Sequence, residues 1–143
     1  MPHTLKQSIE DALQAYSPLR TSRSEISVRV DDGRVTLSGY VPSSSIKRMA
    51  AFLAGSVDGV DEVVNDLLAD PDLERSVAVA LAADERTRPL TVRVRAEIGN
   101  AQLQGFIPDQ AALQAALDVA RKVKGPKQII SALKVGQPLP LAA

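Results

Sequence analysis

Apolar and polar residues alternate in two runs between Ile26 and Val41. Ile26, Val28 and Val30 are separated by Ser27 and Arg29; Val35, Leu37, Gly39 and Val41 are separated by Thr36, Ser38 and Tyr40. Strand side chains point to opposite faces in turn, so each run predicts a strand with one buried face. Asp32-Gly33 between them is a hairpin signal, because a tight turn needs positive φ. Outside this hairpin the apolar spacing lengthens to that of a helix. Leu5, Ile9, Ala12, Leu13 and Tyr16 form one stripe behind a Thr4…Gln7 capping box; Ile46, Met49, Ala50, Leu53 and Val57 form another. The stretch from Ser17 to Glu25 is polar and predicts a loop, and a third strand carries Val63 and Leu67.

The pattern then repeats. Adding 66 to each number from Ile26 to Leu68 places Val28 on Val94, Gly33 on Gly99, Leu37 on Leu103, Gly39 on Gly105, Tyr40 on Phe106, Pro42 on Pro108, Gly59 on Gly125 and Leu67 on Leu133. A fixed period of this kind means two copies of one structural unit. The leading helices align at a shift of 68 (Leu73, Val77, Ala80 and Leu81 in the second copy), so the loop that follows is two residues shorter there. Asp70 can cap that helix, with Pro71 in its first turn. The second copy's turn, Glu97-Ile98-Gly99-Asn100, reads as less regular. Its second helix presents Ala112, Leu113, Ala116, Val119, Ala120 and Val123, and its last strand Ile129, Leu133 and Val135. Helices with one apolar stripe and strands with one apolar face are satisfied by a two-layer packing. The expected fold is therefore α+β: two αββαβ units, each with two helices on one face of a three-stranded mixed sheet. The boundaries read as 1–69 and 70–136, with a disordered tail over 137–143.

Composition narrows the chemistry. Units of about 65–70 residues bury only about 60% of their unfolded surface, so the copies are expected to pack on each other or on a partner. The chain of 143 residues has no cysteine, which excludes disulfides, thiolate nucleophiles and Cys-based zinc sites. Its longest apolar run, Val77–Ala83, falls far short of the ~20 residues that span a bilayer, so the chain is not transmembrane by helices. The N-terminus lacks the apolar core of a signal peptide. The chain as written is thus expected in the cytoplasm, or in the periplasm if it is a trimmed mature form. Net charge is zero, but the residues up to Ala69 sum to −2 and those from Asp70 to +2.

Val28-Arg-Val30, Asp32-Gly-Arg-Val-Thr-Leu-Ser-Gly39, Val41, Val57-Asp-Gly-Val60, Val63, Asn65 and Leu67 resemble the BON domain, named for bacterial osmotically inducible and nodulation proteins. The second copy keeps Gly105, Pro108, Val123-Lys-Gly125, Ile129 and Leu133. The resemblance implies a non-catalytic binding module tied to osmotic stress and the envelope, some members associating with anionic phospholipid. A cytoplasmic relative joined to a LysM domain binds potassium, although the chain as written shows neither that segment nor a lipid anchor. No catalytic residue and no cofactor follow from it.

The residues themselves agree on catalysis. His3 is the single histidine and sits at the terminus, and Ser43, Ser44 and Ser45 are explained by helix capping, so no enzyme is expected. Gly33, Gly39, Gly59, Gly99, Gly105 and Gly125 read as structural glycines at turns, helix ends and strands. Asp58, Asp61 and Glu62 are a candidate cation loop, for potassium or another hard cation. Asp58 corresponds to Lys124 and Asp61 to Lys127, so one structural spot carries opposite charge in the two copies. Arg121, Lys122, Lys124 and Lys127 form a basic cluster suited to anionic phospholipid or a protein partner. Acidic-to-basic association between chains, giving a homo-oligomer, and a simply solvated surface are the alternatives. Tyr40, Arg93, Arg95 and Phe106 are expected on the open sheet face. One ring per copy and no RNA-binding signature disfavour nucleic acid there.

Overall fold

The computed structural model describes residues 4–136. His3 and the tail 137–143 lie outside the described residues. Eleven elements follow one another in two rounds. The first is α1 (Leu5–Ala15), α2 (Ser17–Thr21), β1 (Glu25–Asp31), β2 (Arg34–Val41), α3 (Ser44–Gly55) and β3 (Glu62–Ala69). The second is α4 (Asp70–Ala83), β4 (Arg93–Glu97), β5 (Asn100–Ile107), α5 (Gln110–Arg121) and β6 (Gln128–Val135). The chain divides into two compact units between Pro71 and Asp72.

Both sheets have the same topology. In the first unit β2 is central, antiparallel to β1 and parallel to β3. In the second β5 is central, antiparallel to β4 and parallel to β6. A two-residue turn suffices for each antiparallel pair, whereas each parallel pair needs a crossover, which α3 and α5 supply. Side-chain caps start these helices: Ser43 Oγ accepts from the Ile46 N–H at 3.2 Å, and Asp109 Oδ1 from the Ala112 N–H at 2.8 Å.

The alternation read from the sequence is the alternation of burial. Val35, Leu37 and Val41 of β2, and Ala101, Leu103 and Ile107 of β5, are buried under the helices. Ile9, Leu13, Ala50, Ala54 and Leu67 complete the first core; Val77, Leu81, Ala116, Leu117, Val119 and Ala120 complete the second. Asn65 ties β3 to α3, its amide donating to the Lys47 carbonyl at 3.0 Å.

Two expectations need correction. The polar stretch after Tyr16 contains a short helix, α2, with Pro18 in its first turn and Leu19 buried. Pro fits there because the first helical N–H groups have no intrahelical partner, and one apolar residue anchors an otherwise polar segment. At the equivalent place in the second unit stands Thr87, also buried, whose hydroxyl donates to the Leu81 carbonyl at the end of α4. Second, the turn at Ile98-Gly99 is as regular as the one at Asp32-Gly33. Both pairs have positive φ (49° and 88°; 45° and 84°), and both close a two-residue hairpin. Positive φ strains a β-branched residue, but the Ile98 side chain is buried, and that burial offsets the strain.

Candidate functional site

The basic cluster lies where α5 ends and turns into β6. Arg121 is the last residue of α5, and Lys122 is its C-cap, with its N–H directed back to the carbonyls of Ala120 and Val119. Cations at a helix C-terminus sit against the negative end of the helix dipole. Arg121, Lys122, Lys124 and Lys127 are all exposed. The backbone N–H of Lys127 donates to the Gly99 carbonyl at 2.7 Å, and in the first unit Asp61 makes the same bond to Gly33 at 2.8 Å. Asp61 and Lys127 thus occupy one structural position with opposite charge.

Lys122 of this cluster also lines an open groove of about 340 Å³ between α4 and α5. Ala80, Ala83, Val119 and Val123 give it an apolar floor, and Asp84 and Lys122 stand at its rim. Arg86 holds the Asp84 carboxyl below its ordinary value, first through a side-chain hydrogen bond (3.2 Å) and then through its backbone N–H (2.9 Å), with Lys122 adding to the effect. Arg86 also reaches Asp118 on α5 at 3.8 Å. One turn earlier on α4, Val79 is 60% exposed. No sequence pattern marks this groove. Small residues at helical spacing were legible as core, and only the tertiary placement of α4 and α5 leaves Ala83 and Val123 lining open space.

The candidate cation loop has a different geometry. Glu62 turns toward Arg34, 3.7 Å away, while Asp58 and Asp61 are exposed. Among the described residues no three His, Cys, Asp or Glu side chains gather as metal ligands.

On the open faces, Tyr40 is half-buried in register with Glu25 and Leu68. In the second sheet Arg93 faces Gln104, Arg95 faces Gln102, and Phe106, 44% exposed, faces Lys134. Among the described residues no helix is long and apolar enough to cross a membrane.

The BON domain model matches residues 3–71 and again 69–137. The outer membrane lipoprotein DolP of Haemophilus influenzae is 31% identical over 142 residues, covering 92% of this chain and 72% of that protein. The osmotically-inducible protein Y of Escherichia coli K12 is 30% identical over 123 residues, covering 77% of this chain and 61% of that protein. Among solved structures, the C-terminal domain of CdsD, a structural protein of the type III secretion system of Chlamydia trachomatis, aligns with TM-score 0.43 at 12% identity, covering 96% of this chain and all of that one. A cytoplasmic location finds no support among the two named relatives.

Proposed function

Because this chain belongs to the BON domain family, we propose that it acts by binding and not by catalysis, as a scaffold at an anionic phospholipid surface of the bacterial envelope. The observation that carries this reading is one juxtaposition in the second unit. Exposed Arg121, Lys122, Lys124 and Lys127 follow one another at the end of α5, and Lys122 also lines an apolar groove between α4 and α5. Cations there meet headgroup phosphates, each contributing about 1 kcal/mol near an anionic surface, and the groove accepts apolar atoms from the interface. Four such contacts amount to about 4 kcal/mol, roughly a thousandfold in affinity. The lipoprotein and osmotic-induction names of the two relatives support an envelope and stress setting.

The test is co-sedimentation with vesicles of phosphatidylglycerol and phosphatidylethanolamine against vesicles of phosphatidylcholine alone. The chain should pellet with the first at low salt, release as salt rises, and stay in solution with the second. Reversing all four cations to Glu should abolish pelleting. Binding that ignores both salt and this reversal would rule the reading out.

A further inference from the structure

A sheet edge offers unpaired N–H and C=O groups to any other strand, and proteins ordinarily blunt such edges with charge. Among the described residues three of the four sheet edges are blunted. β1 carries Glu25, Arg29 and Asp31, and β4 carries Arg93, Arg95 and Glu97 within five residues. In β3 only Glu62 and Asp66 are exposed, and both are acidic. β6 departs from this rule. Its eight residues, Gln128 to Val135, include one charge, Lys134, and no proline, and six of them are exposed, among them Ile130 at 39% and Val135 at 49%. Where β3 places Asp66 in register with Ser38, β6 places Ala132 in register with Gln104.

We infer that the free edge of β6 pairs antiparallel with β6 of a second copy of this chain, joining two three-stranded sheets into one of six strands. Self-pairing suits this strand in particular. Residues directly opposite on an antiparallel ladder share a face, so the two-fold axis must pass through a residue. With the axis at Ala132, Ile129 meets Val135, Ser131 meets Leu133, and Ile130 meets Lys134 of the other copy. Ile129 then lies against Val135 and the two Ala132 residues against each other, no like charges are opposed, and the two lysines are kept apart. Among the described residues each chain has one such edge, so pairing uses it up and association closes at two. The inference is independent of lipid binding and is tested without vesicles.

The absence of cysteine makes a direct experiment available. Opposed residues on an antiparallel ladder have Cα atoms about 4.5–5.5 Å apart, within disulfide range. Ala132→Cys (or Ser131→Cys, if the axis passes one residue earlier) should give a disulfide-linked dimer under mild oxidation. Asp66→Cys, at the equivalent place on the blunted edge, should not. Light scattering of the unmodified chain should show its mass doubling with concentration. Ile130→Lys should return it to the monomer with an unchanged circular dichroism spectrum, since Ile130 lies outside the core. A chain monomeric at every concentration overturns the inference. So does a dimer in which neither Ala132→Cys nor Ser131→Cys cross-links faster than Asp66→Cys.

Discussion

Replacing Gly39 by Ala tests how closely the two units share one backbone. Gly39 lies in the central strand, in register with Ile26 on one side and Leu67 on the other, at φ 122°. An added Cβ would collide with the Glu25 carbonyl oxygen and lie 2.9 Å from its carbon. Those are backbone atoms of the neighbouring strand, so no side chain can swing away. The backbone conformation alone costs about 1–3 kcal/mol for a residue with a Cβ. Pushing β1 outward costs about another 1–3 kcal/mol, as overpacking generally does. A unit of about 70 residues has roughly 4–10 kcal/mol of stability in total, so Gly39→Ala should remove about half of it.

Gly105 is the equivalent residue, at φ 139°, but there the Thr91 oxygen would lie 2.7 Å from the new Cβ and the next backbone atoms 3.8 Å away. A smaller shift relieves that contact, so Gly105→Ala should cost about 1–3 kcal/mol, chiefly the conformational part. Urea denaturation followed by circular dichroism gives the total loss. Amide exchange at Leu37 and Leu103 reports each unit separately. For a domain this size each kcal/mol is about 4–8 °C in Tm, so Gly39→Ala should melt at least about 10 °C lower. Equal losses for the two substitutions, or a loss under about 0.5 kcal/mol at Gly39, would refute the reasoning.

Thr87→Val keeps the shape of a buried side chain but removes the hydroxyl that serves the Leu81 carbonyl; leaving a buried acceptor unpaired costs about 1–3 kcal/mol, and amide exchange should show the loss in the second unit with Leu37 unaffected. Asp84 should titrate below the ordinary 3.8, because Arg86 favours its ionised form. Its contribution to stability is then present above that ordinary value and lost as pH falls through the lowered one. A carboxyl NMR titration with a midpoint at or above 3.8 would contradict the Arg86 contact.

The sequence by itself determined the duplication, the order of every element except the short α2, and the buried face of the strands. These are local facts. A period of two or 3.6 residues decides which side chains can share a face, and the shift of 66 decides which positions are alike. Gly39 and Gly105 were legible for the same reason, as interruptions of an apolar alternation. The BON resemblance was likewise carried by contiguous residues.

What only the tertiary structure decided depends on groups distant in the chain. Leu19 and Thr87 fill the same kind of place with unlike chemistry, because the core constrains shape and requires only that a hydroxyl find an acceptor. Ile98 in a positive-φ turn contradicts local preference, and burial explains it. The basic cluster was readable as a list of residues, but the groove beside it exists only once α4 and α5 are placed side by side. The bare edge of β6 likewise required the strand order, since no local pattern says which strand lies at the margin of a sheet. Periodicity reports which way a side chain faces; exposure depends on what packs against it, and that is fixed only by contacts between residues far apart in sequence.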